Sequence, residues 1–149
     1  MPSFDLPAEY GYVVLAATST FFLNTAHSAN TGIRRKAANV DYPAAYAPES
    51  NKSPEAQRFN CAQRAHANYI ENQVSFVPAL LIAGTKFPLT SAVMGLCWNV
   101  SRYTYMVGYS TGGEGGKGRY KMGGLYFWLF QFGLMGMAAY TGVSMVMGW

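Results

Sequence analysis

Between Phe59 and Asn72 the sequence reads FNCAQRAHANYIEN. On a helix, Asn60, Arg64, Asn68 and Glu71 stand at i, i+4, i+8 and i+11 and form one continuous stripe. A stripe this polar must face something polar. It can line a site, or it can join helices through a network that only fixes packing, with Arg64 paired to Glu71. Arg102, Tyr105 and Tyr109 stand at i, i+3 and i+7 and share a second helical face. There a guanidinium and two phenols would border one cavity. A belt of aromatic anchors at a membrane surface accounts for Tyr103 and Tyr109 equally well.

The elements that must position these residues follow from where charge is missing. The chain has 149 residues, 50% hydrophobic and 12% charged, which suits one domain. Aromatics at 15% exclude disorder, and two cysteines, Cys61 and Cys97, exclude a disulfide scaffold. Tyr10 to Ile33 carries no formal charge over 24 residues and Met122 to Trp149 none over 28, each longer than the roughly 20 needed to cross a bilayer. The first run turns polar in its second half, with Asn24, His27, Ser28, Asn30 and Thr31, so other helices must shield it. Two shorter charge-free runs, Asn72 to Thr85 and Phe87 to Ser101, become spans only if Arg64, Glu71 and Arg102 enter or border the membrane. Ionisable groups at that depth cost about 2.5 to 3.5 kcal/mol each and normally face a polar interior, so their presence points to a site.

Loops around Ala37 to Ser53, Lys86 to Pro88 and the glycine-rich Gly112 to Gly118 separate four helices, with spans of roughly 8–36, 56–85, 88–110 and 119–147. The chain is read as a single all-α membrane domain. No Lys or Arg precedes the first apolar run, so that span is expected to act as its own signal. Arg34, Arg35, Lys36, Lys52 and Arg58 flank the first loop, and Lys117, Arg119 and Lys121 lie in the third, while Lys86 alone lies opposite. Both basic loops are therefore expected on the cytosolic side, where an anion site is plausible. The net charge of +4 sits beside apolar runs, which argues against nucleic acid as a partner. No CxxC or metal-ligand spacing occurs, and the glycine loop lacks the Gly and the Ser or Thr of a phosphate-binding motif.

Three segments carry a resemblance over nearly the whole chain: FNCAQRAHANYIE before a proline-containing apolar run, RYTYMVGY, and Arg34-Arg35-Lys36 ending the first span. Together they resemble the microsomal glutathione S-transferase type 3 group, of the superfamily of membrane-associated proteins in eicosanoid and glutathione metabolism. The resemblance implies an integral membrane four-helix bundle, a homotrimer, and glutathione as co-substrate between neighbouring subunits near the cytosolic face. It implies that Arg64, Asn68 and Glu71 hold the tripeptide, that Tyr105 and Tyr109 lie beside it, and that Arg35 reaches a carboxylate. His66 matches the type 3 pattern and is expected to hydrogen-bond as a neutral ring in the same site, with no metal; His27 is expected to hydrogen-bond between helices. Lys36 and Asn72 stand where the leukotriene C4 synthase branch has arginine and tyrosine, which sets this chain apart from that chemistry. An arginine at the start of the fourth helix stabilises the glutathione thiolate in such proteins; Arg119 fits best, with Lys117 as its rival because loop glycines leave the register open.

The implied activity is glutathione transfer and glutathione-dependent reduction of lipid hydroperoxides, with a hydrophobic electrophile or lipid hydroperoxide entering from membrane lipid. The endoplasmic reticulum membrane is the expected location, multi-pass, with the mitochondrial outer membrane as a second one. The alternative is a non-catalytic lipid-binding scaffold of the lipoxygenase-activating type, and a more distant third is a small channel. A scaffold gives no reason for the full set Arg64, Asn68, Glu71 and Arg119.

Overall fold

The computed structural model describes residues 6–111, 114–121 and 123–148. The chain forms α1 (Tyr10–Ala37), α2 (Pro54–Lys86), α3 (Pro88–Thr111), a short 3-10 segment (Glu114–Tyr120) and α4 (Phe127–Met147), with no strand among the described residues. Local chemistry sets the boundaries. Arg34, Arg35 and Lys36 fill the last turn of α1, where cations complement the helix dipole. Ser53 caps α2 by accepting the Ala56 N–H at 3.2 Å, and Pro54 occupies the first helical turn, where its missing N–H costs nothing. Pro88 disfavours helical geometry at Phe87, which leaves the helix at φ −127° and ψ 61° and separates α2 from α3.

The four long helices pack on one another around an apolar centre. Phe76 of α2 stacks on Trp98 of α3 at 3.8 Å and 8°. Polar cross-links run through the same layer. The Trp98 indole donates to Gln131 of α4 at 3.0 Å, and Gln131 donates in turn to Ser75 of α2 at 3.0 Å. The Tyr69 hydroxyl donates to the Thr20 carbonyl of α1 at 2.7 Å, and Asn99 donates to Ser19 at 2.6 Å. Such bonds hold helices together where apolar surroundings supply no drive for association. Outward faces carry Leu15, Phe22, Val74 and Leu129, all exposed, an arrangement foreign to a water-facing bundle. Among the described residues one helix, α4, is long and apolar enough by composition to cross a membrane, with a mean hydropathy of 1.3.

Two expectations need correction. The fourth helix begins at Phe127 and not at 119. Gly123 adopts a left-handed φ of +75°, and a Cβ at Gly124 would lie 2.5 Å from the Arg119 carbonyl oxygen. The chain folds back on α3 there before α4 can start. His27, expected to hydrogen-bond, has no partner on either ring nitrogen and instead stacks on Tyr69 at 4.5 Å and His66 at 5.7 Å. Of the glycine connector and the fourth span, Gly112, Gly113 and Met122 lie outside the described residues. Cys61 and Cys97 are free thiols.

Candidate functional site

Helix α2 builds one wall. Arg64 and Glu71 pair through Nη1 and Oε1 at 2.9 Å and Nη2 and Oε2 at 3.4 Å. Their side chains are 49% and 52% exposed, so a ligand can reach both charges. Asn68 lies between them in sequence, its Nδ2 3.5 Å from Glu71 Oε2. Asn60, the fourth member of the stripe, does other work: its Oδ1 accepts the Ala47 N–H at 2.8 Å and ties the first loop to α2.

Helix α3 supplies the second wall. Tyr105 is buried and meets Tyr109 edge-on at 5.5 Å and Phe127 at 5.8 Å. Arg102 lies one turn below, wholly buried, its guanidinium 4.6 Å from the Tyr105 ring. Arg102 donates from Nη1 to Asn68 Oδ1 at 3.0 Å and so joins the two walls. Sequence reasoning placed Arg102 on the right face but missed this bond. Its signal was a lone cation in an otherwise charge-free helix three residues before Tyr105.

The 3-10 segment closes one end of the array. Arg119 lies over the Tyr109 ring at 4.6 Å and donates through Nη1 to the carbonyls of Gly115 and Gly116 at 3.2 and 3.1 Å. Its Nη2 donates to the Tyr120 hydroxyl at 2.5 Å. Of the five guanidinium N–H groups, this leaves two for a ligand. Gly116, at φ +67°, presses on Tyr109 where a Cβ would overlap the ring. Beside this contact opens a cleft of about 530 Å³ bordered by Glu49, Asn60, Cys61, Tyr109 and Gly115. Arg64 is within electrostatic reach of Tyr109 and of Tyr46 in the first loop. Lys117 is exposed.

Six of the residues singled out from the sequence therefore form one array: Arg64, Asn68, Glu71, Tyr105, Tyr109 and Arg119. Two others do not join it. Arg35 donates to the Ala44 carbonyl at 2.7 Å and lies over Tyr42 at 4.3 Å and Phe59 at 4.7 Å. His66 shares a hydrogen bond with Asn24 of α1 at 3.1 Å. The cause is helical phase: His66 is two residues from Arg64, about 200° around α2 at about 100° per residue, whereas Phe59 and His66 lie two turns apart on one side. His66 thus lies on the face that α2 turns toward α1, and Arg35 of α1 meets Phe59 on that same face.

The array can hold an anion at Arg64, a cation at Glu71 and a hydrogen-bond acceptor at Asn68, and can set a second cation, Arg119, against whatever group lies over Tyr109. Among the described residues no group of three His, Cys, Asp or Glu side chains converges as a metal site would. Residues 13–140 match the MAPEG family, which takes in all of α2 and α3 and the 3-10 segment together with most of α1 and α4. Its proteins are membrane-associated and include glutathione transferases, other proteins of lipid metabolism and members without enzymatic activity. With that match running through every element that bears the array, the chain belongs to the MAPEG family.

Proposed function

We propose that the chain is a membrane glutathione transferase of the microsomal type 3 kind that also reduces lipid hydroperoxides with glutathione. The observation that carries this reading is the convergence of Arg64, Asn68 and Glu71 with Tyr105, Tyr109 and Arg119 on one α2–α3 face. Glutathione bears two carboxylates, one ammonium and one thiol. A carboxylate can take Arg64 from Glu71 while the ammonium takes Glu71, an exchange of partners that keeps every charge paired. The thiol then lies toward Arg119, whose guanidinium favours the thiolate. The thiolate attacks a hydrophobic electrophile to form a thioether, and the electron pair of the bond that breaks departs with an anionic leaving group or, where the electrophile is an activated double bond, takes up a proton. With a lipid hydroperoxide, two glutathiones become the disulfide while the hydroperoxide becomes an alcohol and water.

In this reading the four helices α1 to α4 span an internal membrane of the endoplasmic reticulum or outer mitochondrial type, the fourth from Phe127. The array faces the cytosol. Purification in detergent followed by glutathione titration and thiolate absorbance tests it: the transferase binds glutathione and shows a thiolate band at neutral pH. A lipid-binding scaffold shows neither.

Arg64→Ala is expected to raise KM for glutathione about tenfold or more with little change in kcat, because the lost contact exists in ground and transition states alike. Loss of kcat at unchanged KM would place Arg64 in the chemistry instead.

The division of the polar residues between two faces of α2 supports assembly. If glutathione also meets Arg35 and His66, they must come from a second copy, which accords with a homotrimer and a site between subunits. Native mass spectrometry in mild detergent is expected to show a trimer, and dilution to monomer to abolish glutathione binding. A monomer that binds with full affinity excludes the inter-subunit site.

A further inference from the structure

The array rests on one buried charge that glutathione binding and thiolate formation leave unused. Arg102 has no exposed surface and is ringed by aromatic faces, with Phe127 at 4.2 Å, Tyr105 at 4.6 Å, and Tyr69 and Trp98 at 5.8 Å. Among the described residues the one salt bridge joins Arg64 to Glu71, so Arg102 has no carboxylate at bonding distance. Its Nε and Nη2 are buried without a partner, and its Nη1 bonds Asn68 Oδ1 at 3.0 Å. Aromatic faces and a single amide oxygen are weak compensation for burying a cation.

What that amide oxygen does explains the arrangement better than packing. A guanidinium only donates hydrogen bonds and a carboxylate only accepts them. Asn68 stands between one of each, with Oδ1 toward Arg102 and Nδ2 toward Glu71 Oε2. Reversing the amide would set NH2 against guanidinium and oxygen against carboxylate, two repulsive contacts at once. One orientation remains, and the second hydrogen of Nδ2 is then available to an acceptor on the Arg64 and Glu71 side.

We propose that Arg102 is a positioning residue: from inside the core it fixes the Asn68 amide with Nδ2 turned toward Glu71, so that glutathione meets a preset donor beside the Arg64–Glu71 pair. This rests on the glutathione reading above. Arg102 acts through Asn68 and touches neither the thiol nor the electrophile. It therefore governs glutathione affinity and leaves thiolate formation to the other end of the site.

The test is a double-mutant cycle on the full chain in detergent, with Arg102→Met, Asn68→Ala and the pair, each checked for helicity and trimer formation. Glutathione Kd is read by calorimetry and the bound thiol by absorbance against pH at saturation. Arg102→Met and Asn68→Ala are each expected to raise Kd about tenfold, the loss of one oriented hydrogen bond. The double variant is expected to bind within about twofold of Asn68→Ala alone, because both changes remove the same interaction. The bound thiol should titrate as in the wild type, and Arg102→Lys should recover part of the affinity.

Wild-type Kd in folded Arg102→Met, additive losses of about a hundredfold in the double variant, or a displaced thiol titration would each overturn the proposal. Should Arg102→Met fail to fold, the cycle is run with Arg102→Lys, whose affinity loss must vanish when residue 68 is alanine. A wild-type protein that binds no glutathione overturns the functional reading and the proposal with it. That outcome is distinct from unchanged affinity in Arg102→Met, which overturns the proposal alone.

Discussion

Arg119→Ala is expected to cut turnover at pH 7 about 25-fold while leaving glutathione bound. The free thiol has a pKa near the cysteine reference of about 8.5, and an adjacent cation lowers such a value by about 1 to 3 units. With a shift of about 2 units, roughly three quarters of the bound thiol is ionised at pH 7, against about 3% without the cation. At pH 9 the two proteins differ by only about 1.3-fold on the same arithmetic. The sign is specific: losing a cation raises the thiol pKa, so activity is lost on the acid side and regained as pH rises. Thiolate absorbance should follow the same curve. Lys117→Ala is the control. It is exposed, whereas Arg119 is half-buried over Tyr109. If Lys117→Ala shows the altered curve and Arg119→Ala keeps the wild-type one, the activating cation has been assigned two residues too late; if both keep it, thiolate stabilisation lies elsewhere in the site.

The parts of this site that were legible in the sequence are those held by a single helix. Arg64, Asn68 and Glu71 are related by helical spacing alone, and α2 keeps them together whatever surrounds it. Tyr105 and Tyr109 are legible on α3 for the same reason. Contacts between elements were not. Nothing local to residues 68 and 102 announces that they meet, nor that His27 stacks between Tyr69 and His66 with no hydrogen-bond partner on either ring nitrogen.

The start of α4 was illegible for a different reason. Absence of charge marks where a chain can enter a membrane and not where a helix begins, and Arg119 reads as the first residue of the span only because the resemblance implies an arginine at the start of the fourth helix. Its place is set instead by Gly123 and Gly124, whose conformation and bare backbone let the segment fold against Tyr105. Arg35 and His66 show a third limit. Their residue types suit the ligand, yet within one chain Arg35 bonds the Ala44 carbonyl of the first loop and His66 bonds Asn24 of α1, and helical spacing does not announce either partner.

The same backbone approach yields the second large effect, expected from a residue with no side chain. Gly108 of α3 precedes Tyr109, and a Cβ there would lie 2.4 Å from the Gly118 carbonyl oxygen and 3.3 Å from the Arg119 nitrogen. These are backbone atoms that no rotamer change can move aside. Gly108→Ala must therefore push the 3-10 segment away from α3, and with it the guanidinium that lies 4.6 Å from the Tyr109 ring. A displacement of about 1 Å at a reacting group can cost about a hundredfold in rate. Turnover at pH 7 is accordingly expected to fall about tenfold or more, up to the roughly 25-fold of Arg119→Ala, with the thiol titrating higher as in that variant. Glutathione affinity should change by less than about threefold, because Arg64, Asn68 and Glu71 sit on α2 and keep most of the binding contacts. Gly124→Ala, whose Cβ would lie 2.5 Å from the Arg119 carbonyl oxygen, should reproduce the effect from the other side. Gly32→Ala meets nothing within 4 Å and should be silent. Should Gly108→Ala retain the wild-type thiolate band and pH profile, the close packing of α3 on the 3-10 segment is not what holds Arg119 in register. Should it lose glutathione binding as well, the segment supports the tripeptide and not only its sulfur.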